Sequence, residues 1–256
     1  TVGLVNIQTG TLKLAANLEG WRDIPFQAMW EKQFGLRVHV GNEATIAALG
    51  ENYFGSAIGY HDFIYLALTT KAVGAGMFIN GRLYQGIHGY AGEVGHAVLD
   101  PDGALCTCGK RGCWEAMLRE ACSVQLVQER IQNGEKSLIA QLCQGNPATI
   151  NFKMILSAAL AGDALASERI NQVIEVLGTG IANLINTFNP QLIVLGGSLG
   201  LTLEPFLAAI RTVAARQVTF PSDGSPDIKA SSIKSNACAL GAVALVLDDI
   251  LREPIW

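Results

Sequence analysis

The feature that most restricts the fold of this chain is a dense group of metal-ligand side chains near its centre. Cys106, Cys108 and Cys113 lie within eight residues in C-x-C-x4-C spacing, and His96 precedes the first of them by ten residues. Three thiolates and one imidazole are suitable ligands for a tetrahedral zinc ion. If all four bind, no coordination position stays open, so the spacing predicts a structural zinc loop. The alternative is three reduced cysteines that bind nothing.

The other cysteines and the composition indicate a cytoplasmic protein with one large domain or two lobes. Cys122, Cys143 and Cys238 lie on apolar helical stretches, whereas a secreted disulfide framework would spread its cysteines more evenly. Hydrophobic residues make up 50% of the 256 residues and charged residues 16%, which provides a sizeable core. The net charge of −4 does not favour a nucleic-acid-binding surface. The sequence contains no signal peptide and no run of about 18 apolar residues, so no membrane partner is expected.

Short apolar runs alternate with helical periods along the chain, and this alternation indicates α/β architecture. Strands are predicted at 36–40, 63–68, 74–79 and 192–195, with a weaker candidate at 227–231. Helices are predicted at 44–54, over most of 114–188, at 203–217 and at 237–251. The second and third strands are close enough in sequence to form a hairpin, and a glycine-rich loop at 81–95 follows them.

Five sequence segments together carry a family resemblance. They are NLEGWRDIP at 17–25, LRVHVGNEATIAALGENYFG at 36–55, VGAGMFINGRLYQGIHGYAGEVGH at 73–96, CTCGKRGCWE at 106–115 and NPQLIVLGGSL at 189–199. In this combination the chain resembles the ROK family of repressors, open reading frames and kinases over nearly its whole length. The resemblance implies an α/β, actin-like sugar-kinase fold of the ribonuclease H-like type, with two lobes, a cleft between them and a structural zinc loop.

The resemblance also implies how the chain divides between the two lobes. Residues 1–58 would form the remainder of the N-terminal lobe, and the closing helix at 237–252 would pack back on that lobe. Residues 59–236 would form the C-terminal lobe that carries the zinc loop. The chain opens at Thr1, already inside a domain, so we expect a winged helix-turn-helix module and the first strands to precede it.

A sugar site follows from the same resemblance. In the family, five positions hold the sugar hydroxyls, and they correspond here to Asn42, Glu43, Glu93, His96 and Glu115. Carboxylates accept hydrogen bonds from adjacent hydroxyls, and an amide both donates and accepts. His96 could bind the metal through one ring nitrogen and leave the other for a hydroxyl. Without the resemblance, solvated surface is the ordinary place for the glutamates at 93 and 115.

Two departures from the kinase pattern favour the regulator branch of the family. Kinases carry an aspartate as general base at the position of Glu43, so Glu43 is a degenerate base position that we expect to contact the sugar only. The kinase phosphate loop, G-T-G-x-G-x-G, is replaced by LTTKAVGAG at 68–76. Backbone N–H groups cradle phosphates best where side chains are absent. Lys71 could contact a phosphate instead, although a lone lysine on a turn is more often simply solvated.

The sequence therefore predicts the effector-binding domain of a transcriptional regulator, a repressor whose affinity for DNA changes when a small sugar binds. DNA would be contacted through a module outside these residues, in a homodimer or homotetramer. The first alternative is an ATP-dependent sugar kinase of the glucokinase or N-acetylhexosamine kinase type, which would require ATP and Mg2+. The second alternative is a metal-stabilised scaffold without a ligand.

Overall fold

The computed structural model describes residues 1–16, 18–219 and 225–252, whose strands form two sheets. The strands are β1 Leu4–Asn6, β2 Thr11–Leu14, β3 Arg22–Ile24, β4 Phe63–Leu68, β5 Val73–Ile79, β6 Arg82–Tyr84, β7 Leu192–Gly196 and β8 Asp227–Ala230. The smaller sheet is antiparallel, in the order β1-β2-β3, and the larger sheet is mixed, in the order β6-β5-β4-β7-β8. The mixed α/β architecture predicted from the alternating pattern is confirmed.

Helices cover both faces of the larger sheet. The helices of the described residues are α1 Phe26–Phe34, which packs against β2 of the smaller sheet, α2 Glu43–Phe54, α3 Trp114–Leu118, α4 Glu120–Gln132, α5 Leu138–Leu142, α6 Phe152–Leu160, α7 Ala164–Phe188, α8 Gly197–Thr202, α9 Leu207–Gln217 and α10 Ala237–Arg252. Short 3-10 turns occur at Val94–His96, Pro147–Thr149, Glu204–Phe206 and Lys234–Asn236. None of the helices in the described ranges combines the length and apolar character that a bilayer crossing requires.

The two central strands of the larger sheet are buried on both faces. Strand β4 runs parallel to β7, with Phe63 opposite Leu192. Ile64 and Leu66 face the main core cluster beneath α6 and α7, while Phe63 and Tyr65 face the cluster beneath α2 and α10. Continuous apolar runs are typical of strands that are covered on both sides. This explains why these two strands were predictable from the sequence.

The closing helix α10 packs against α2. Ala47 of α2 and Ala244 of α10 belong to the same buried cluster. Near the C-terminal ends of both helices, the Tyr53 hydroxyl donates a hydrogen bond to Asp248 at 3.1 Å. The division of the chain into lobes at residues 58 and 59 stays a prediction.

The strand predicted at 36–40 is wrong. In this segment the Val38 N–H donates to the side chain of Glu31 at 3.1 Å, and the His39 Nε2 lies 3.3 Å from a carboxylate oxygen of Asp249 on α10. Side chains therefore bind the segment where a strand would bind a neighbouring backbone. Within the described residues it joins neither sheet.

Other predicted boundaries shift by a few residues. The helix predicted from residue 203 begins only at Leu207, after a 3-10 turn at Glu204–Phe206. The strand predicted from residue 74 begins at Val73 and forms the expected hairpin with β4. The short strands β1, β2, β3 and β6 were not predicted, since runs of three or four residues give little periodic signal. The nine-residue helix α1 was not predicted either.

A buried carboxylate joins the segment that leaves α2 to the segment between β8 and α10. Glu51 is 0% exposed. Its carboxylate accepts hydrogen bonds from the Ser56 N–H at 2.7 Å and from the Ser231 hydroxyl. The Ser56 hydroxyl in turn donates to the Ala230 carbonyl at 3.0 Å. Burial raises the pKa of Glu51, and the two hydrogen bonds only partly offset that effect.

This raised pKa predicts a pH-dependent contribution to stability. The folded state binds the Glu51 proton more tightly than the unfolded state, so the contribution is fully present below the unfolded pKa and is lost as pH rises through the folded pKa. For Glu51→Gln, we expect the stability advantage of the wild type to grow as pH falls from 7 to 5. The slope cannot exceed about 1.4 kcal/mol per pH unit for one proton.

Urea unfolding of both proteins at several pH values measures this difference. Glu175→Gln, on the exposed face of α7, is the matched control, because Glu175 is solvated and pairs with Arg216 at the surface. A difference between wild type and Glu51→Gln that is flat with pH would contradict the prediction.

Candidate functional site

The four side chains that were predicted as metal ligands converge in the structure. The ligand atoms of His96, Cys106, Cys108 and Cys113 all lie within 4.8 Å of one another. The Cys106 Sγ is 3.7 Å from the His96 Nδ1, and the Cys108 Sγ is 3.6 Å from the Cys113 Sγ. Residues separated by up to 17 positions are thus within reach of one ion.

The backbone of the cysteine loop is held by a tight set of internal hydrogen bonds. The Cys106 N–H donates to the Lys110 carbonyl at 2.8 Å, and the Leu99 N–H donates to the Gly112 carbonyl at 2.8 Å. Gly112 has φ +66°, and a Cβ at this position would overlap the Asp100 carbonyl. A glycine is therefore required where the loop turns back towards its own start.

Burial and one backbone hydrogen bond shift the pKa values of the three thiols in different directions. Burial raises the pKa of Cys113 to about 12 and also raises the pKa of Cys106. The backbone N–H of Lys110 lowers the pKa of Cys108. A metal ion would stabilise all three thiolates, and a donor set of three sulfurs and one imidazole nitrogen suits zinc. The residues present therefore fit a tetrahedral zinc ion, and this group of side chains could hold one.

The ring of His96 lies between the cysteines and two glutamates. Its Nδ1 faces Cys106 and is 3.8 Å from Glu115, whereas its Nε2 is 3.8 Å from a carboxylate oxygen of Glu93. The Glu93 side chain is 40% exposed. The surrounding protein nevertheless raises the pKa of Glu93 by desolvation, and Glu115 adds to this effect. Glu93, His96 and Glu115 thus form one continuous polar group.

Glu115 does not lie on the solvated surface that is usual for a glutamate. The residue is 3% exposed, and its Oε1 accepts hydrogen bonds from the Cys106 thiol at 3.3 Å and from the Arg119 Nη2 at 3.3 Å. It lies on α3, which begins directly after Cys113. The neighbouring Trp114 donates its indole N–H to the Val176 carbonyl on α7 at 3.1 Å. The cysteine loop and Glu115 are therefore fixed to the main core through one short helix.

Asn42 is engaged as the N-cap of α2. Its Oδ1 accepts hydrogen bonds from the N–H groups of Ala44 at 2.8 Å and Thr45 at 3.3 Å, and its Nδ2 donates to the Gly3 carbonyl at 2.9 Å. Glu43 follows as the first residue of the helix. The structure therefore gives Asn42 a structural role, which limits the hydrogen bonds that it has left for a ligand.

Strand β5 brings the two halves of the predicted sugar site towards each other. On its face, a Cβ on Gly76 would lie 2.5 Å from the Ala44 carbonyl in the first turn of α2. At its edge, the Ala75 N–H donates to the Gly92 carbonyl at 2.8 Å, directly before Glu93. Asn42–Glu43 and Glu93–His96 therefore approach the same stretch of β5. Gly76, which lies in the segment that replaces the kinase phosphate loop, has a packing role here.

The side chain of Thr69 closes the turn between β4 and β5. The Thr69 Oγ1 accepts hydrogen bonds from the N–H groups of Ala72 at 2.9 Å and Lys71 at 3.3 Å. The Thr69 N–H donates to the Ala72 carbonyl at 3.0 Å. The N–H groups of Thr69, Lys71 and Ala72 are thus bound within the turn, where they could otherwise have pointed to a phosphate.

Sequence reasoning missed two residues of the site, Thr107 and Arg119. The Arg119 Nη2 donates to the Thr107 Oγ1 at 3.1 Å as well as to Glu115. The spacing of Glu115 and Arg119, four residues apart with the acidic residue first, was a readable signal for this pair. Thr107 gave no signal of its own, because nothing in the sequence around it indicates that its hydroxyl binds Arg119.

This chain is similar in sequence and in structure to several known proteins. The chain is 32% identical over 252 residues to the xylose repressor of Caldicellulosiruptor bescii. The matched region covers 98% of this chain and 62% of the repressor. The chain thus spans about three fifths of the length of that relative. A ROK family glucokinase from Streptomyces griseus, solved with glucose and AMPPNP, has a TM-score of 0.85 at 31% identity and covers 95% of this chain and 78% of the glucokinase.

A transcriptional regulator gives a similar result. A ROK family regulator described as a homolog of the E. coli MLC protein has a TM-score of 0.81 at 30% identity and covers 98% of this chain and 64% of that regulator. The fold is therefore the actin-like sugar-kinase fold that the resemblance implied. The sequence profile of the ROK family matches residues 1–249, and on this evidence the chain belongs to the ROK family.

Proposed function

We propose that this chain forms the sugar-binding region of a ROK-family transcriptional regulator. The observation that carries the proposal is the turn after β4, where the Thr69 hydroxyl binds the N–H groups of Lys71 and Ala72. A phosphate cradle needs such donors free. The second support is Glu43, whose longer side chain stands at the general-base position, where a displacement near 1 Å can lower a rate by about 100-fold. Sugar binding tolerates both changes, whereas phosphoryl transfer does not.

The ligand in this proposal is a small aldose held by carboxylates. Glu93 and Glu115 supply two carboxylates, each 3.8 Å from a ring nitrogen of His96, and Asn42 and Glu43 approach the same stretch of β5. Carboxylates accept from vicinal hydroxyls, and these bonds are among the stronger hydrogen bonds in proteins. Xylose and glucose are the first candidates, since relatives at similar identity are named xylose repressor and glucokinase.

Zinc has a structural role in this proposal. His96, Cys106, Cys108 and Cys113 would hold the ion, which supplies charge to stabilise three thiolates and offers no open position for chemistry. The bound loop would then fix the start of α3, and with it Glu115. His96 would contact both the ion and the ligand site through its two ring nitrogens.

The regulatory consequence follows from differential affinity. A sugar can change DNA binding only if it binds one conformation of the regulator better than the other. Closure of the two lobes on the sugar would change the spacing of DNA-binding modules outside these residues, in a homodimer or homotetramer. The proposal therefore takes DNA as a partner of the whole protein and not of the residues described.

An ATP-dependent sugar kinase is the second candidate function. The glucokinase from Streptomyces griseus, with glucose and AMPPNP bound, is structurally as similar to this chain as the regulator is. Glu43 also retains a carboxylate at the base position. In that case ATP and Mg2+ would be required, and the phosphates would have to be bound by a turn that differs from the one described.

Sugar binding without turnover is the first expected result. Calorimetric titration with D-xylose, D-glucose and N-acetylglucosamine should show saturable binding of at least one of them. In a coupled assay with Mg2+, ATP and the same sugars, the rate of ADP release should stay far below about 1 per second. Glu93→Gln should weaken the affinity for the bound sugar roughly 10-fold or more, because it removes a charged hydrogen-bond acceptor.

Glu175→Gln on α7 serves again as the control and should bind sugar as the wild type does, because its partner Arg216 lies outside the site. Turnover at ordinary kinase rates would show that the kinase candidate is correct. No binding of any sugar would support the scaffold without ligand and would end the proposal.

Zinc content gives a second expected result. Elemental analysis should find one zinc per chain, and chelation should lower the melting temperature by roughly 10 °C, because structural zinc contributes several kcal/mol and each kcal/mol corresponds to about 2–4 °C in a chain of this size. Cys108→Ser should lose most of the metal.

Cys122→Ser is the matched control, since Cys122 lies outside the cluster and donates only to the Ala116 carbonyl, which a serine can also do. Full zinc occupancy in Cys108→Ser would refute the assignment of this ligand.

A further inference from the structure

The guanidinium of Arg119 lies at the junction between the cysteine loop and the proposed sugar site. Arg119 occupies the break between α3 and α4, and its side chain is only 22% exposed. Its Nη2 donates to the Thr107 Oγ1 at 3.1 Å and to the Glu115 Oε1 at 3.3 Å. One side chain therefore holds the loop between two cysteines and a carboxylate of the neighbouring helix at the same time.

Zinc binding would change the charge that Glu115 faces. The Cys106 thiol now donates to the Glu115 Oε1 at 3.3 Å. Glu115 is therefore in direct contact with one of the residues that would hold the ion. Three thiolates with one divalent ion leave about one net negative charge by formal counting. Glu115 adds a second, at an almost fully buried position.

Arg119 is the cation that contacts Glu115 in the described part of the chain. Two other basic residues lie on the same loop, but they bind backbone carbonyls. The Lys110 Nζ donates to the His96 carbonyl at 2.9 Å, and the Arg111 Nη1 donates to the Gly103 carbonyl at 3.4 Å. An unpaired buried carboxylate beside an anionic centre would be strongly disfavoured. The guanidinium, which stays protonated under all ordinary conditions, supplies the missing charge.

We infer that Arg119 is a positioning residue that couples the metal loop to sugar recognition. Its guanidinium holds the Glu115 carboxylate in place beside the cysteine loop and ties that carboxylate to Thr107 in the loop. The inference rests on the proposed function, because it takes Glu115 as a sugar ligand. Arg119 itself does not need to touch the sugar.

The test compares Arg119→Met, Arg119→Lys and the control Arg130→Met in the full chain. Arg130 lies on α4 and binds Glu135 and Glu168 in a separate ion-pair group. Each protein is measured for zinc content, melting temperature and the Kd of the sugar that binds the wild type best among D-xylose, D-glucose and N-acetylglucosamine. We expect Arg119→Met to keep one zinc per chain and to bind the sugar roughly 10-fold more weakly. Arg119→Lys should recover part of the affinity, and Arg130→Met should match the wild type.

A double mutant separates positioning from simple loss of structure. In a Glu115→Gln background the neutral amide needs no counter-charge, so Arg119→Met should weaken sugar binding by a much smaller factor than it does in the wild type. Thr107→Val, which keeps the shape of Thr107 and removes one acceptor of Arg119, provides a milder variant if Arg119→Met does not fold. We expect that variant to keep zinc and to weaken sugar binding about threefold.

Three results would overturn the inference. They are a sugar Kd of Arg119→Met within twofold of the wild type, a parallel loss of zinc and sugar in all Arg119 variants, and equal effects of Arg119→Met in both backgrounds. If the wild type binds none of the three sugars, the proposed function fails instead, which the titration of the wild type alone shows.

Discussion

The close approach of other backbone segments to strand β5 determines where the proposed sugar-binding residues lie. Gly76 lets the first turn of α2 rest on the face of the strand, and Gly92 lets the loop before Glu93 bind its edge. A side chain at Gly92, where φ is +101°, would overlap the Ala75 carbonyl. Because both contacts are backbone to backbone, they leave little freedom to the polar residues that follow. The carboxylate of Glu43 and the group around His96 are positioned by packing before any ligand is considered.

The second constraint is electrostatic, and it concerns the cysteine loop. Burial makes thiolates of Cys106 and Cys113 unfavourable without a cation, while Glu115 lies within hydrogen-bond distance of one of these sulfurs. In our account a zinc ion and Arg119 together balance this group of negative charges. Metal binding and sugar recognition then share one carboxylate, which explains how a structural ion can affect a ligand site without contacting the ligand.

The sequence predicted those parts of the molecule whose signal is local or repetitive. Strands β4 and β7 were found because their apolar runs are uninterrupted, and the cluster of possible metal ligands was found because its spacing matches a known ligand set. The strand at 36–40 was wrong because its hydrogen-bond partners are the side chains of Glu31 and Asp249, which no period reveals. The N-cap role of Asn42 and the contacts of Arg119 depend on residues distant in space, so only the structure could supply them.

The central claim is a carbohydrate pocket beside a turn that no longer accepts a triphosphate. A crystal structure of the chain with zinc, the bound sugar, Mg2+ and AMPPNP tests it most directly. Our account predicts sugar hydroxyls within hydrogen-bond distance of Glu93, His96 and Glu115, with the Thr69 hydroxyl still bonded to the Ala72 N–H. An ordered γ-phosphate held by the N–H groups of that turn and directed at a sugar hydroxyl near Glu43 would contradict it.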